Sequence, residues 1–382
     1  MSAVAPPGVR FHHGSAVVPA GGVHTTPLGY DRGRVPLGAP LPLTASGEFV
    51  HRLSGCGEVV VAFEGKLGDT LLALSGVRAV LDWLRLRSVR TSVRAVGPYA
   101  GLIARTGLIA HHPVTTPHVR RAVIGDRAGI EAHGSEAVVS LVLDPAAPPC
   151  WSSDGRAHPD LPARHYLALE RRLGIRLPGK APFAPTLATG PNDLVEELRS
   201  VGWLGGLTIA AITATSWPER KDYTAQRYIA LTEQIAEAQQ AQARLLLIGG
   251  NGEDGLHVIA EAPRRHVQVL HLEGVPADQL ADLFPHCDLI VGNDTGLTHL
   301  AAITSSPERP VIGLYARHSH SKWRTGLPHH HAVATDLSDR MHQGDLCPVR
   351  DAIPPDVDVH MDAFPHTELA HVCLDLLNGV RP

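Results

Sequence analysis

The chain of 382 residues is 44% hydrophobic and 19% charged, too long for one average domain and too evenly mixed for a disordered or fibrous chain. Its 34 Lys and Arg stand against 38 Asp and Glu, and the net charge of −4 offers no electrostatic footprint for nucleic acid or an anionic membrane. Five scattered cysteines without a Cys-x-x-Cys pair exclude a disulfide-stapled scaffold, and reduced thiols are expected.

Residues 1–55 hold many Gly, Pro and His with no sustained period of 2 or 3.6, and read as an extension without packed elements. No secretory start is visible there, and the longest apolar runs are about half the length that spans a bilayer. A soluble, cytoplasmic protein with at most peripheral membrane contact is expected. From Glu58 the pattern changes: Val59 to Phe63 is a β-branched apolar run, Gly65-Lys66-Leu67-Gly68-Asp69 a tight loop, and Thr70 to about Leu86 an amphipathic helix. Thr91–Val96 and Val138–Leu143 read as strands, and Ala163–Leu173 as a helix stopped by Gly174. Prolines and glycines from Pro178 to Pro191 punctuate an interdomain linker.

The alternation then restarts. Strands are expected at Leu207–Ile212, Leu245–Ile248, Val267–Leu270, Leu289–Val291 and Val311–Leu314, and helices at Ala225–Ala241, Pro276–Phe284 and His366–Leu377. Strands alternating with helices imply parallel α/β sheets. The expected organisation is an extension over 1–55, a first Rossmann-like domain over 56–190 and a second over 191–382.

Ligands of such sheets sit beyond the carboxyl ends of the strands. Three segments fall there. In the first, Asp69 at a helix start is placed to stay ionised and accept a proton, or serves only as the N-cap. In the second, Asn293-Asp294-Thr295-Gly296-Leu297-Thr298-His299 opens a helix whose free N–H groups suit a pyrophosphate, with Gly296 allowing close approach. His299 there either faces the ligand or is a satisfied, half-buried side chain. In the third, Gly250, Gly252 and Gly255 form G-x-G-x-x-G with Glu273 downstream, a dinucleotide fingerprint on paper and the basis of a rival reading as an NAD(P)-dependent oxidoreductase. A Walker A loop is excluded because Leu67 follows Lys66. No Gly-x-Ser-x-Gly supports a serine nucleophile. The histidines at 12–13, 111–112, 318, 320 and 329–331 lack acidic or cysteine partners at ligand spacing, and they read as solvated loop residues. No metal and no other cofactor is expected.

The order of these segments resembles glycosyltransferase family 9, the ADP-heptose:lipopolysaccharide heptosyltransferase group. Asp294-Thr295-Gly296-Leu297-Thr298-His299-Leu300-Ala301-Ala302 carries the likeness most specifically. Gly68-Asp69 with Leu71, Leu72 and Arg78 supports it, as do Lys221 with Arg227–Leu231, and Cys347 with Ile353-Pro354-Pro355-Asp356-Val357. The resemblance spans about residues 57–375. It implies a GT-B fold, two Rossmann-like parallel-sheet domains facing a central cleft, with the acceptor on the first and the nucleotide-sugar donor on the second.

It further implies an inverting, metal-independent transfer of a sugar, by family a heptose from an ADP-linked donor, to an acceptor hydroxyl or amine on a glycan or small natural product. Asp69 matches the family's general base and Lys221 the lysine that meets donor phosphate. Gly68, Thr213, Thr215, Gly250, Glu253, Asp294, Thr295, Gly296, Leu297 and His299 match donor-binding positions. Two loops depart from the family pattern: Leu314 to Lys322 replaces Phe-Gly-Pro-Thr-Asp-Pro, and Lys221-Asp222-Tyr223-Thr224 replaces Lys-x-Trp-Pro. A non-catalytic sugar-nucleotide-binding protein is the third reading, and it would bind donor without turnover.

Overall fold

The computed structural model describes residues 9–13, 16–18, 47–109, 120–143, 160–173, 183–215, 221–249, 257–262, 264–316, 318–320, 322–335, 338, 361 and 364–379. The chain divides into two compact units, one of 29–188 with 345–350, the other of 1–28, 189–344 and 351–382.

Two strands, β1 (Val9–His13) and β2 (Ala16–Val18), come first and belong to the second unit's sheet. The first unit begins with helix α1 (Gly47–Ser54). It continues with β3 (Glu58–Ala62), α2 (Leu67–Leu86), β4 (Ser92–Val96), α3 (Ala100–Ala104), β5 (Arg121–Gly125), α4 (Arg127–His133), β6 (Val139–Val142) and α5 (Leu161–Leu173). Its described strands form one parallel sheet in the order β4-β3-β5-β6. Val59, Val60, Val61 and Ala62 are fully buried, which is why β3 is a continuous apolar run: a parallel sheet is covered on both faces. The chain leaves central β3 for β4 on one side and returns to β5 on the other. The carboxyl ends of β3 and β5 therefore flank a topological switch point, and α2 starts there.

The second unit runs through α6 (Asp193–Ser200), β7 (Leu207–Ile212), α7 (Ala225–Ala238), β8 (Ala243–Ile248), β9 (His257–Ala260) and β10 (Val267–Glu273). It goes on through α8 (Ala277–Leu283), β11 (Leu289–Asn293), α9 (Gly296–Thr304), β12 (Val311–Tyr315), β13 (His330–Thr335) and α10 (His366–Leu377). Its nine described strands take the order β2-β1-β13-β12-β11-β7-β8-β10-β9, parallel from β13 to β10 and antiparallel at both margins. The sheet's core gathers Ile209, Leu245, Val269, Val291 and Leu314 against Tyr228 and Leu231 of α7 and Leu369 of α10. The switch point falls between β11 and β7.

Two expectations are corrected here. The stretch 1–55 is not without elements, since β1 pairs antiparallel with β13 from Val9 opposite Thr335 to His12 opposite Ala332. A five-residue strand zipped on by backbone hydrogen bonds needs no sustained side-chain period. The histidines at 329–331 are not solvated: His329, His330 and His331 are 6%, 0% and 5% exposed, because β13 is an interior strand. His320 is also buried. The described cysteines Cys56, Cys287 and Cys373 are free and buried. No described helix is long and apolar enough to cross a membrane.

Candidate active site

The described residues singled out in the second unit, Thr213, Thr215, Lys221 and Asp294 to His299, converge on the carboxyl ends of β7 and β11. Asn293 closes β11 as a fully buried amide. Its Nδ2 donates to the Thr213 carbonyl at 2.8 Å, and its Oδ1 accepts from the Tyr223 N–H at 3.0 Å and the Tyr228 hydroxyl at 3.1 Å. One side chain thereby ties the ends of β7 and β11 to the segment that carries Lys221. Thr213 also donates from Oγ1 to the Ile248 carbonyl at 3.1 Å, and Thr215 to Asp222 at 2.7 Å. Burial raises the Asp222 carboxyl, and the Thr215 hydroxyl partly offsets this.

Lys221 reaches across to Asp294. Its Nζ lies 3.0 Å from Oδ2 and 3.5 Å from the Asp294 carbonyl, with side chains 15% and 11% exposed. His318, from the segment after β12, places Nδ1 2.8 Å from the same Oδ2. An ionised carboxylate only accepts, so this nitrogen carries the proton. Burial alone would oppose charge on Asp294. The Lys221 ammonium, the His318 hydrogen bond and nearby His299 outweigh it and hold the carboxyl far below the usual carboxylate range. His318 is thus a partner of the site and not the solvated loop residue its sequence context suggests.

Helix α9 begins immediately afterwards. Thr295, its N-cap, is extended at φ −143° and makes no side-chain cap hydrogen bond. Its Oγ1 is buried without a hydrogen-bond partner among the described residues, and so is His299 Nδ1 one turn on. The first N–H groups of a helix have no partner within it, so this start offers donors to an anion. Gly296 and Leu297 form its first turn and are half-buried. Gly292 is required because a Cβ there would collide with the Thr298 hydroxyl that seats α9 on the strand end, donating to the Asn293 carbonyl at 2.6 Å. Burial pushes the His299 imidazole down to about 4, against an upward pull from Asp294. Its ring meets His330 edge-on at 5.9 Å. The half-buried reading of His299 is corrected: it is 3% exposed.

Sequence reasoning missed Arg324 altogether. It is 4% exposed, and its Nε and Nη1 donate to no partner among the described residues. Its neighbours bracket the site: the Trp323 ring stands 6.1 Å from His318, and Thr325 Oγ1 lies 2.9 Å from His330 Nδ1. The available signal was its place after β12, beyond the carboxyl edge of a parallel sheet.

In the first unit, Asp69 lies in the first turn of α2 and is half-buried. The N-cap is Lys66, so the reading of Asp69 as the cap is corrected. Gly68 precedes it within the same turn. Gly250, Gly252, Glu253 and Gly255 lie outside the described residues, as do Cys347 and 353–357. A dinucleotide fingerprint must open a helix, and the next described element is instead edge strand β9. No group of three or more His, Cys, Asp or Glu able to hold a metal ion occurs among the described residues.

Residues 193–350 match the family model of glycosyltransferase family 9 (heptosyltransferase). The matched segment takes in β7 to β13 and the Asp294–His299 helix start. No curated protein matches the chain. Among solved structures, a glycosyl transferase family 9 protein from Veillonella parvula is similar at a TM-score of 0.53 and 13% identity, over 85% of this chain and 97% of that one. The ADP-heptose lipopolysaccharide heptosyltransferase II of E. coli matches at 0.53 and 16%, over 85% and 99%. An E. coli heptosyltransferase solved with ADP matches at 0.50 and 13%, over 84% and 99%. These likenesses establish the fold as GT-B, with two Rossmann-like sheets.

Proposed function

We propose that this chain moves a sugar, heptose in the first instance, from an ADP-linked donor to an acceptor hydroxyl or amine of a glycan or small natural product, inverting the anomeric centre without a metal. The observation that carries the reading is the cluster at the start of α9, within the family-matched segment: Lys221 and His318 on Asp294, beside the unpartnered Thr295 hydroxyl and His299 nitrogen. A diphosphate leaving without a metal needs cationic groups and N–H donors aimed at the charge it develops. Asp294 already offsets the Lys221 charge, so Arg324 is assigned the additional positive charge.

In the proposed step the acceptor oxygen or nitrogen bonds to the anomeric carbon as the bond to the diphosphate breaks. ADP departs with the electron pair and Asp69 takes the acceptor's proton. We assign the reaction to the cytoplasm, where the free, buried cysteines stay reduced. Asp69→Asn is expected to lower kcat by about 10²- to 10⁴-fold with the Kd for ADP nearly unchanged, because a general base contributes that much and does not hold the donor. Lys221→Ala is expected to weaken both. Near-parental kcat in Asp69→Asn, measured as ADP release from ADP-heptose, would remove Asp69 from the role.

A further inference from the structure

The loop that leads to Asp69 is held from outside by a carboxylate with no assigned role. Asp126 follows β5, and β5 lies beside β3, so the switch-point topology brings Asp126 against the β3–α2 loop. Its Oδ2 accepts the Gly65 N–H at 2.7 Å and the Glu64 N–H at 3.1 Å, while Oδ1 accepts the Gly129 N–H at 2.7 Å as the N-cap of α4. The approach is close enough that a Cβ on Gly65 would lie 2.7 Å from Asp126 Oδ2. Helix α4 grips the loop a second time, through His133 Nε2 at 3.1 Å from Glu64 Oε1. The chain enters α2 at Leu67, two residues beyond the clamped Gly65, and Asp69 sits in that first turn.

We infer that Asp126 is a positioning residue: its carboxylate fixes the β3–α2 loop so that Asp69 is presented to the acceptor in one place. The inference rests on the reading of Asp69 as the base. Two oxygens serve three N–H groups here, and only a carboxylate can do so, since an asparagine would turn its own NH₂ toward one of them.

The two duties of Asp126 separate in Asp126→Ser. Serine is as good an N-cap as aspartate and so preserves α4, but it offers no second oxygen to Glu64 and Gly65. With ADP-heptose as the probe and ADP release as the readout, Asp126→Ser is expected to melt within a few degrees of the parent. Its amides at 64 and 65 should exchange faster, and its kcat should fall about ten-fold or more with the Kd for ADP unchanged, since a misplacement of about 1 Å can cost about 10²-fold. In an Asp69→Asn background the same change should cost less than about two-fold, because coupled groups are not additive. The inference is overturned if Asp126→Ser keeps parental kcat while Asp69→Asn loses rate, or if the two losses multiply in full. Full rate in Asp69→Asn alone overturns the reading of the base together with its positioning residue, which separates the two failures.

Discussion

Replacing Asp294 by asparagine removes the charge that Lys221 and His318 both address and leaves a largely buried ammonium facing a neutral amide. Breaking a buried ion pair from one side costs about 3–5 kcal/mol, because the remaining charge loses its partner without regaining water. Lys221 is 15% exposed and recovers some hydration, so the lower end of that range applies, about 3 kcal/mol. In a unit of this size 1 kcal/mol moves Tm by about 2–4 °C, which gives a fall of about 6–12 °C. The sign with pH follows from the depressed folded pKa: the contribution is complete above the unfolded value of about 4 and is lost as pH falls through the folded one. Calorimetric melting at pH 7 without nucleotide is therefore the assay. Lys221→Met in the same background should recover part of the loss, since the uncompensated charge is then gone. A melting point within about 1 °C of the parent for Asp294→Asn, or strict additivity of the two changes, would refute the reasoning.

His299 sets a second expectation. Its imidazole is held at about 4 when folded against about 6.5 when unfolded, so between those values the unfolded chain binds a proton that the folded chain does not, and stability falls as pH falls. Buried His329 and His330 act in the same direction. His299→Gln should lessen the slope of stability against pH near pH 5 by about 1.4 kcal/mol per unit, one proton's worth, and an unchanged slope would contradict this. A third concerns phosphate: Gly296→Val should weaken ADP binding in calorimetry while the fold persists, because a branched side chain then stands among the first N–H groups of α9. Parental affinity would mean that the phosphate binds elsewhere.

What could be read from the residues, and what could not, divides by range. β3 and α2 were visible because Val59–Val61 and the apolar residues of α2 carry their own period, and α10 matches its expected bounds, His366–Leu377. β13 was hidden because three consecutive histidines look solvated until a sheet buries them. β5 was passed over as a five-residue strand opening on Arg121. At the site, the helix start at Asp294 to His299 was legible as a local motif. Its partners were not, because Lys221, His318 and Asp294 are joined only by the sheet, across 73 and 24 residues of chain. Asp126 meets Gly65 across 61, by the same kind of strand adjacency.

As proposed above, the start of α9 receives a nucleotide sugar whose sugar this chain transfers unaided by metal. Incubating the full chain with ADP-heptose and a panel of hydroxyl and amine acceptors in excess EDTA, and following ADP and glycosylated product by mass spectrometry, tests it most directly. ADP and an inverted heptosyl product are expected at a rate that added Mg²⁺ or Mn²⁺ does not raise. Turnover that vanishes in EDTA and returns with either ion, or absence of ADP release with tight binding of a reduced nicotinamide nucleotide, would contradict it.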